Sequence, residues 1–197
     1  MKTAGLILIM SIFASLKTLA LPMDELKTGD ILLLDMDCFS CELIEKQTNG
    51  PFSHSGIILK YGTKVYVAQS LGIVHHLPLA KFLRYTNKPV QVVRPKFINF
   101  TKRRALLESY QNDFLNMPFD HEYTWDDDKL YCSEFIYKLL KSVYAIENFA
   151  PKPMRYDVNE DGWRRYFGGN EPPHGQPGLS PNDFYRSSDF VEMGPLY

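Results

Sequence analysis

The residues best suited to chemistry in this 197-residue chain are a cysteine at the head of a helix and a histidine–glutamine pair on a hairpin. Cys132 opens the run CSEFIYKLLKSV. There Cys132, Phe135, Ile136, Leu139, Leu140 and Val143 recur at i, i+3, i+4, i+7, i+8 and i+11. This is one apolar stripe of an amphipathic helix, with the cysteine as its first member. A small buried core residue would also fit that place. At a helix N-terminus, however, unpaired N–H groups and the helix dipole favour a thiolate, lowering its pKa from about 8.5. The same N–H groups can donate to an oxyanion. A cysteine so placed can attack a carbonyl and carry its acyl group.

Such a nucleophile needs a base, and the chain has five histidines. His54 begins the run SHSGIILKYGTKVYVAQSLG, two β-segments around Gly62-Thr63. Glycine first in a two-residue loop signals a type II′ hairpin. Pairing across that loop sets Ile58 opposite Val67 and Gly56 opposite Gln69. His54 and Gln69 then become diagonal neighbours on one face. The amide can accept from one imidazole nitrogen while the other meets a thiol, the order of nucleophile, base and orienter. A slip of one residue would put the two on opposite faces. His75 and His76, adjacent in a strand, point to opposite faces and do not suit one metal. His121, in the loop before Cys132, and His174 are read as structural or solvent-facing.

Cys38 and Cys41 form a C-x-x-C that follows a strand and opens a helix. A local disulfide is the leading reading, which leaves Cys132 as the odd thiol. A thioredoxin-type redox pair is a second reading. Zinc fits less well, since no second C-x-x-C or H-x-x-x-H follows, and neither a metal nor a cofactor is expected. The stretch DVNEDG (157–162) matches half of a calcium loop, but Gly168 stands where the closing glutamate belongs.

These residues must be positioned by a fold of modest size. Residues 1–20, MKTAGLILIMSIFASLKTLA, have a basic start, an apolar core and small residues before a cut, the pattern of a secretory signal. The apolar stretch is shorter than the about 20 residues of a membrane span and Lys17 interrupts it. With the signal removed no stable span is expected, and the location is periplasmic or secreted. Residues 21–197 suffice for a single domain with a sizeable core. A net charge of −1 with interspersed signs excludes a basic nucleic-acid surface.

Along that domain the pattern gives a buried strand in GDILLLDMD (29–37), a short helix over 38–48 and the hairpin over 53–72. IVHHL is a third strand, PLAKFLRY a short helix opened by proline, and VQVVRP another strand. TKRRALLESYQNDFLNM (101–117) reads as a helix with Thr101 as N-cap. The segment from about 148 is rich in proline and glycine yet aromatic, and reads as ordered loop draped over the domain. The class is α+β with an antiparallel meander.

Several stretches together resemble a known family. GDILLLD, SHSGIIL, VAQSLGIVHHLPLAKFL, MPFDHEYTWDDDKLYCSEFIY and PHGQPGLSP are similar to the YiiX-like permuted papain-fold cysteine hydrolases. That group is the circularly permuted branch of the NlpC-type superfamily, which also holds lecithin:retinol acyltransferase-like enzymes. The resemblance covers about residues 25 to 185. It implies a permuted papain-like fold, with an antiparallel sheet packed against the helix that bears the nucleophile. It implies Cys132 as nucleophile, His54 as base and Gln69 in the third, polar position, where relatives often have glutamate or histidine. Tyr131 and Asp120 match positions near the site, and Ser133 follows the nucleophile in Y-C-S-E; all three are substrate or oxyanion candidates.

The expected activity is an exported cysteine amidase or peptidase working through an acyl-enzyme on a small peptide or aminoacyl amide. An esterase or acyltransferase on an acyl-lipid would use the same triad, and a thiol–disulfide oxidoreductase on Cys38 and Cys41 is a third possibility. Fold kinship does not choose among them. A neutral Gln69 fixes the imidazole tautomer but adds no charge to hold a proton on His54. Gln69→Glu is therefore expected to raise the His54 pKa and extend activity on the alkaline side, and Gln69→Ala to slow the reaction by misorienting the ring. The pH dependence of kcat/KM for the three proteins measures both. An unmoved alkaline limb, with Gln69→Ala as active as the parent, removes Gln69 from the site.

Overall fold

The computed structural model describes residues 20–196. The expected signal lies outside them except for Ala20. In chain order the elements are β1 (Ile31–Leu34), α1 (Phe39–Thr48), β2 (His54–Tyr61), β3 (Lys64–Leu71), β4 (Ile73–Pro78), α2 (Leu79–Phe82) and β5 (Val90–Pro95). There follow α3 (Arg103–Ser109), α4 (Cys132–Lys141), β6 (Lys152–Pro153), α5 (Glu160–Tyr166), β7 (Pro177–Gly178), α6 (Pro181–Arg186) and β8 (Phe190–Leu196).

The run ILLL has no polar alternation, and such a strand needs cover on both faces. It becomes β1, with all four residues fully buried, near the middle of a six-stranded sheet ordered β4-β3-β2-β1-β5-β8. Each pairing in that sheet is antiparallel. The β2–β3 hairpin has the register read from the sequence, with Ile58 opposite Val67. Gly62 takes the positive φ of 62° that the first position of its turn requires.

On one sheet face Phe135, Ile136 and Leu139 of α4 pack with Leu106 and Tyr110 against Ile31, Leu33, Ile57 and Leu59. On the other, Phe82 and Leu79 of α2 cover Leu32, Leu34, Ile58 and Val67. The architecture is α+β, and the helix that opens with Cys132 lies on the sheet as expected.

Two expectations change. Asn99, not Thr101, caps the start of the third helical region, its Oδ1 accepting from the Thr101 N–H at 2.9 Å. Asparagine turns the chain back on a backbone N–H two residues on, so a 3-10 turn over Phe100–Lys102 precedes α3. The helical region ends in a π turn at Tyr110–Phe114, short of residue 117. The segment from 148 is ordered but is more than loop. It contains α5 and α6, and β8 completes the sheet against β5. Its capping signals are local: the Ser180 N–H donates to Asp183 Oδ2 at 2.7 Å, and Pro181 opens α6. Pro195 is tolerated in β8 because that strand lies at the sheet edge.

Gly56 in the motif SHSG has a packing reason. A Cβ there would stand 2.8 Å from Phe82 Cζ and would collide with the Val67 side chain. Gly56→Ala should overpack this face by about 1–3 kcal/mol. For a domain of this size that lowers Tm by roughly 2–4 °C per kcal/mol. Thermal melts check it, and an unchanged Tm would show that Phe82 moves aside freely.

Candidate active site

The loop before β2 delivers His54 to a defined place. Asn182 of α6 holds that loop, with Nδ2 donating to the Phe52 carbonyl at 2.8 Å and Oδ1 accepting from the Phe52 N–H at 3.2 Å. The Ser53 N–H donates to the Leu34 carbonyl at 2.9 Å, and His54 pairs with Leu34 across β1. His54 Nε2 then lies 2.7 Å from Gln69 Oε1. An amide oxygen only accepts, so Nε2 carries the proton and Nδ1 is left for the thiol. The diagonal placement inferred from the hairpin register is therefore the observed one.

Cys132 reaches the same place from the other side. Its preceding loop is tied to the sheet by Ser70 Oγ, which donates to the Leu130 carbonyl, and by the Phe119 N–H, which donates to the Gly72 carbonyl at 3.0 Å. Cys132 is the first residue of α4, so its N–H is among those with no intrahelical acceptor. Cys132 and His54 line one cavity and are only 7% and 4% exposed, which takes both largely out of water.

That burial sets the electrostatics. By itself it pushes the Cys132 thiol up, but the charge of His54, the hydrogen bond to it and the hydroxyl and N–H of Ser55 outweigh it. The Cys132 pKa falls below its ordinary value. Burial likewise pulls His54 down, and the Cys132 charge with the bonds to Cys132 and Gln69 reverses this, leaving the His54 pKa raised. The result favours a thiolate–imidazolium pair. Ser55 Oγ is buried with no hydrogen-bond partner among the described residues.

Glu134, in the first turn of α4, has its carboxyl pushed up to about 8 by burial, against the downward pull of Lys138 2.9 Å away. That shift weakens any second negative charge in the first turn of α4.

A cavity of about 330 Å³ adjoins Cys132 and His54. Tyr131 and Ser133 line it and flank the nucleophile. Both are committed to one residue of the C-terminal segment: the Leu179 N–H donates to Tyr131 Oη at 3.1 Å, and Ser133 Oγ donates to the Leu179 carbonyl at 2.6 Å. Their role is thus to clamp Leu179 as a cavity wall, and Ser133 has no hydroxyl proton to spare for an oxyanion.

Asp120 is not among the lining residues. It is fully buried, accepts from the Glu122 N–H at 2.9 Å and from Thr124 Oγ1 at 3.2 Å, and so shapes the loop ahead of Cys132. The structure thus places Asp120 within that loop and away from the cavity lining. His121 packs on Phe119 outside the cavity, 4.8 Å between centroids, and His174 packs edge-on to Tyr156.

Cys38 and Cys41 are joined in a disulfide at the start of α1 and line the same cavity, while Cys132 is free. The antiparallel sheet lacks the βαβ unit of a thioredoxin-type site. The segment 157–162 uses Asn159 to cap α5, Oδ1 accepting from the Gly162 N–H. Tyr123, Tyr156 and Trp163 also line the cavity. They escaped the sequence reading because α5 and the loops bring them in from distant places. Tyr123 has a positive φ of 50°, uncommon for a bulky residue and set by the loop that aims its ring at Tyr131, 5.1 Å away.

The fold is papain-like in permuted chain order, with His54 ahead of Cys132 in the sequence. Residues 25–192 match the family described as permuted papain-like amidase enzymes, YaeF/YiiX, C92, and the chain belongs to that family. It is 27% identical over 142 residues to the uncharacterized protein YiiX of Escherichia coli (strain K12), covering 71% of this chain and 68% of that protein. The crystal structure of the metalloprotein YiiX from Escherichia coli O157:H7 superimposes with a TM-score of 0.77 at 21% identity, over 87% of this chain and 98% of that one. That likeness concerns the fold. Among the described residues here, no three or more His, Cys, Asp or Glu side chains are grouped to hold a metal.

The charge pairing has a direct readout. The rate of Cys132 alkylation by iodoacetamide should reach half its plateau below the ordinary thiol range of about 8.5. His54→Ala leaves burial as the main influence, so the midpoint should move upward. An unchanged midpoint would contradict the pairing.

Proposed function

We propose that this protein is a cysteine amidase or peptidase acting through an acyl-enzyme on Cys132. The observation that supports this most is that Cys132 and His54 line one cavity, with Gln69 Oε1 on the far nitrogen of the His54 ring and the sulfur at the start of α4. The thiolate attacks the substrate carbonyl, and the tetrahedral oxyanion forms against the free N–H groups at the head of α4. His54 gives its Nδ1 proton to the leaving amine, and the C–N bond breaks. Water, deprotonated by His54, then cleaves the thioester and restores the thiolate. Export to an oxidising compartment, periplasmic or extracellular, is part of the proposal. The N-terminal pattern and the Cys38–Cys41 disulfide support it.

A second reading, ester hydrolysis or acyl transfer on a lipid, is favoured by the cavity lining. Met36, Ile44, Leu71, Tyr156 and Trp163 are lining residues. The charges at the rim are paired: Lys152 lies 3.4 Å from Asp183, and Arg155 pairs with Asp157. Among the described lining residues no lysine, arginine or carboxylate is left unpaired for an ionic acyl group, so the acyl portion of the substrate is neutral and apolar.

Parallel assays on aminoacyl amides and acyl esters bearing matched apolar and charged acyl groups test both readings. Turnover of apolar amides, lost at least about 10³-fold in Cys132→Ala, supports the amidase. Turnover confined to long-chain esters and increased by vesicles supports the lipid reading. Full activity in Cys132→Ala overturns both.

A further inference from the structure

We infer that His75 is a positioning residue of this site, locking the Gln69 amide so that its oxygen, not its nitrogen, faces His54. The inference rests on the proposed role of the Cys132–His54–Gln69 triad. An amide differs from a carboxylate in one respect that matters here. One end accepts and the other donates, so a 180° rotation about the last bond reverses what His54 meets. With the –NH2 toward it, His54 Nε2 would have to accept, its proton would sit on Nδ1, and the ring could not take the thiol proton.

The structure supplies a direction for that amide from outside the triad. His75 stands directly opposite Gln69 across β3 and β4, and its Nε2 lies 3.1 Å from Gln69 Nε2. At the far side of the ring, His75 Nδ1 lies 2.9 Å from the carbonyl oxygen of Ile73. A backbone carbonyl only accepts, so Nδ1 holds the proton of the uncharged ring and Nε2 is a bare acceptor. Only the donor end of Gln69 can face it. Bonds then run in one sense, from the His54 Nε2–H to Gln69 Oε1, and from the Gln69 amide hydrogen to His75 Nε2. The second amide hydrogen meets Tyr85 Oη at 3.3 Å. A phenol both donates and accepts, so Tyr85 fills the valence but sets no direction. His75 sets it, through the Ile73 carbonyl.

The adjacent histidine does not share this task. His76 points to the other sheet face, where Nδ1 lies 2.9 Å from Tyr110 Oη. His75 is half-buried and is not among the residues lining the cavity, so it acts through Gln69 and not on the substrate.

The experiment compares His75→Lys, His75→Gln and the double variant His75→Lys with Gln69→Glu. Lysine offers donors only and should turn the amide. The expected result is a fall in kcat of tenfold or more with KM unchanged, and loss of the His54 Nε2–H signature in the ¹⁵N imidazole spectrum. His75→Gln again offers an acceptor and should recover most of the rate. With Gln69→Glu both oxygens accept, no orientation remains to be locked, and the penalty of His75→Lys should shrink to less than threefold. The spectrum and the alkylation rate of Cys132 read the lock even where no substrate is turned over, which separates its failure from failure of the proposed reaction. A His75→Lys protein with the parent His54 spectrum and kcat overturns the inference. An equal penalty in the Gln69 and Gln69→Glu backgrounds does so as well, since it would mark a merely structural role.

Discussion

A thiol and an imidazole held together away from water, each shifted toward its charged form by the other, are the constraint on which the rest of this structure depends. Burial alone would return Cys132 to thiol and His54 to neutral imidazole. Removing two charges from water is costly unless each finds partners in good geometry. The fold supplies them separately. The sulfur sits where α4 leaves N–H groups unpaired, and Ser55 next to His54 helps hold its pKa down. The ring has Gln69 on its outer nitrogen, and burial pushes up the carboxyl of Glu134 in the first turn of α4.

These partners come from elements far apart in the chain, which explains the architecture around them. His54 lies on the strand beside β1, a run of four apolar residues that demands cover on both faces. The cover on one face is α4, whose first residue is Cys132. The C-terminal segment then completes the site from a third direction. Leu179 is bonded through both its N–H and its carbonyl to the two neighbours of Cys132, while Asn182 holds the turn that leads into His54. A segment dense in proline and glycine can do this because α6 is locally capped and β8 finds an edge to pair with.

The cavity beside the pair inherits its character from the same packing. Tyr123, Tyr131, Tyr156 and Trp163 form an aromatic cluster against Leu43 of α1. Its closeness to the sulfur gives the site an apolar wall, and the ion pairs at the rim leave that wall electrically quiet. A wall of this kind selects by shape and desolvation more than by charge.

The sequence by itself determined the local features: the stripe that puts Cys132 at the head of a helix, the two-residue turn at Gly62 and the hairpin register that places His54 beside Gln69. Each depends on a short-range period or a glycine's positive φ, and neither needs distant residues. The α+β class and the odd thiol left by Cys38 and Cys41 followed from similar counting. The exposed Asn99 cap was missed because Asn99 and Thr101 both carry capping side chains, and only the backbone geometry distinguishes them. The tail was read as loop because its proline and glycine hide two short helices whose capping residues act over only three positions. What only the tertiary structure decided was which long-range pieces converge: Leu179 across the nucleophile, Asp120 turned into its own loop, Tyr123 and Trp163 in the cavity wall, and His75 behind Gln69. Those placements depend on how sheet, helices and tail pack against one another, and side chains separated by tens of residues leave no period in the sequence by which to find them.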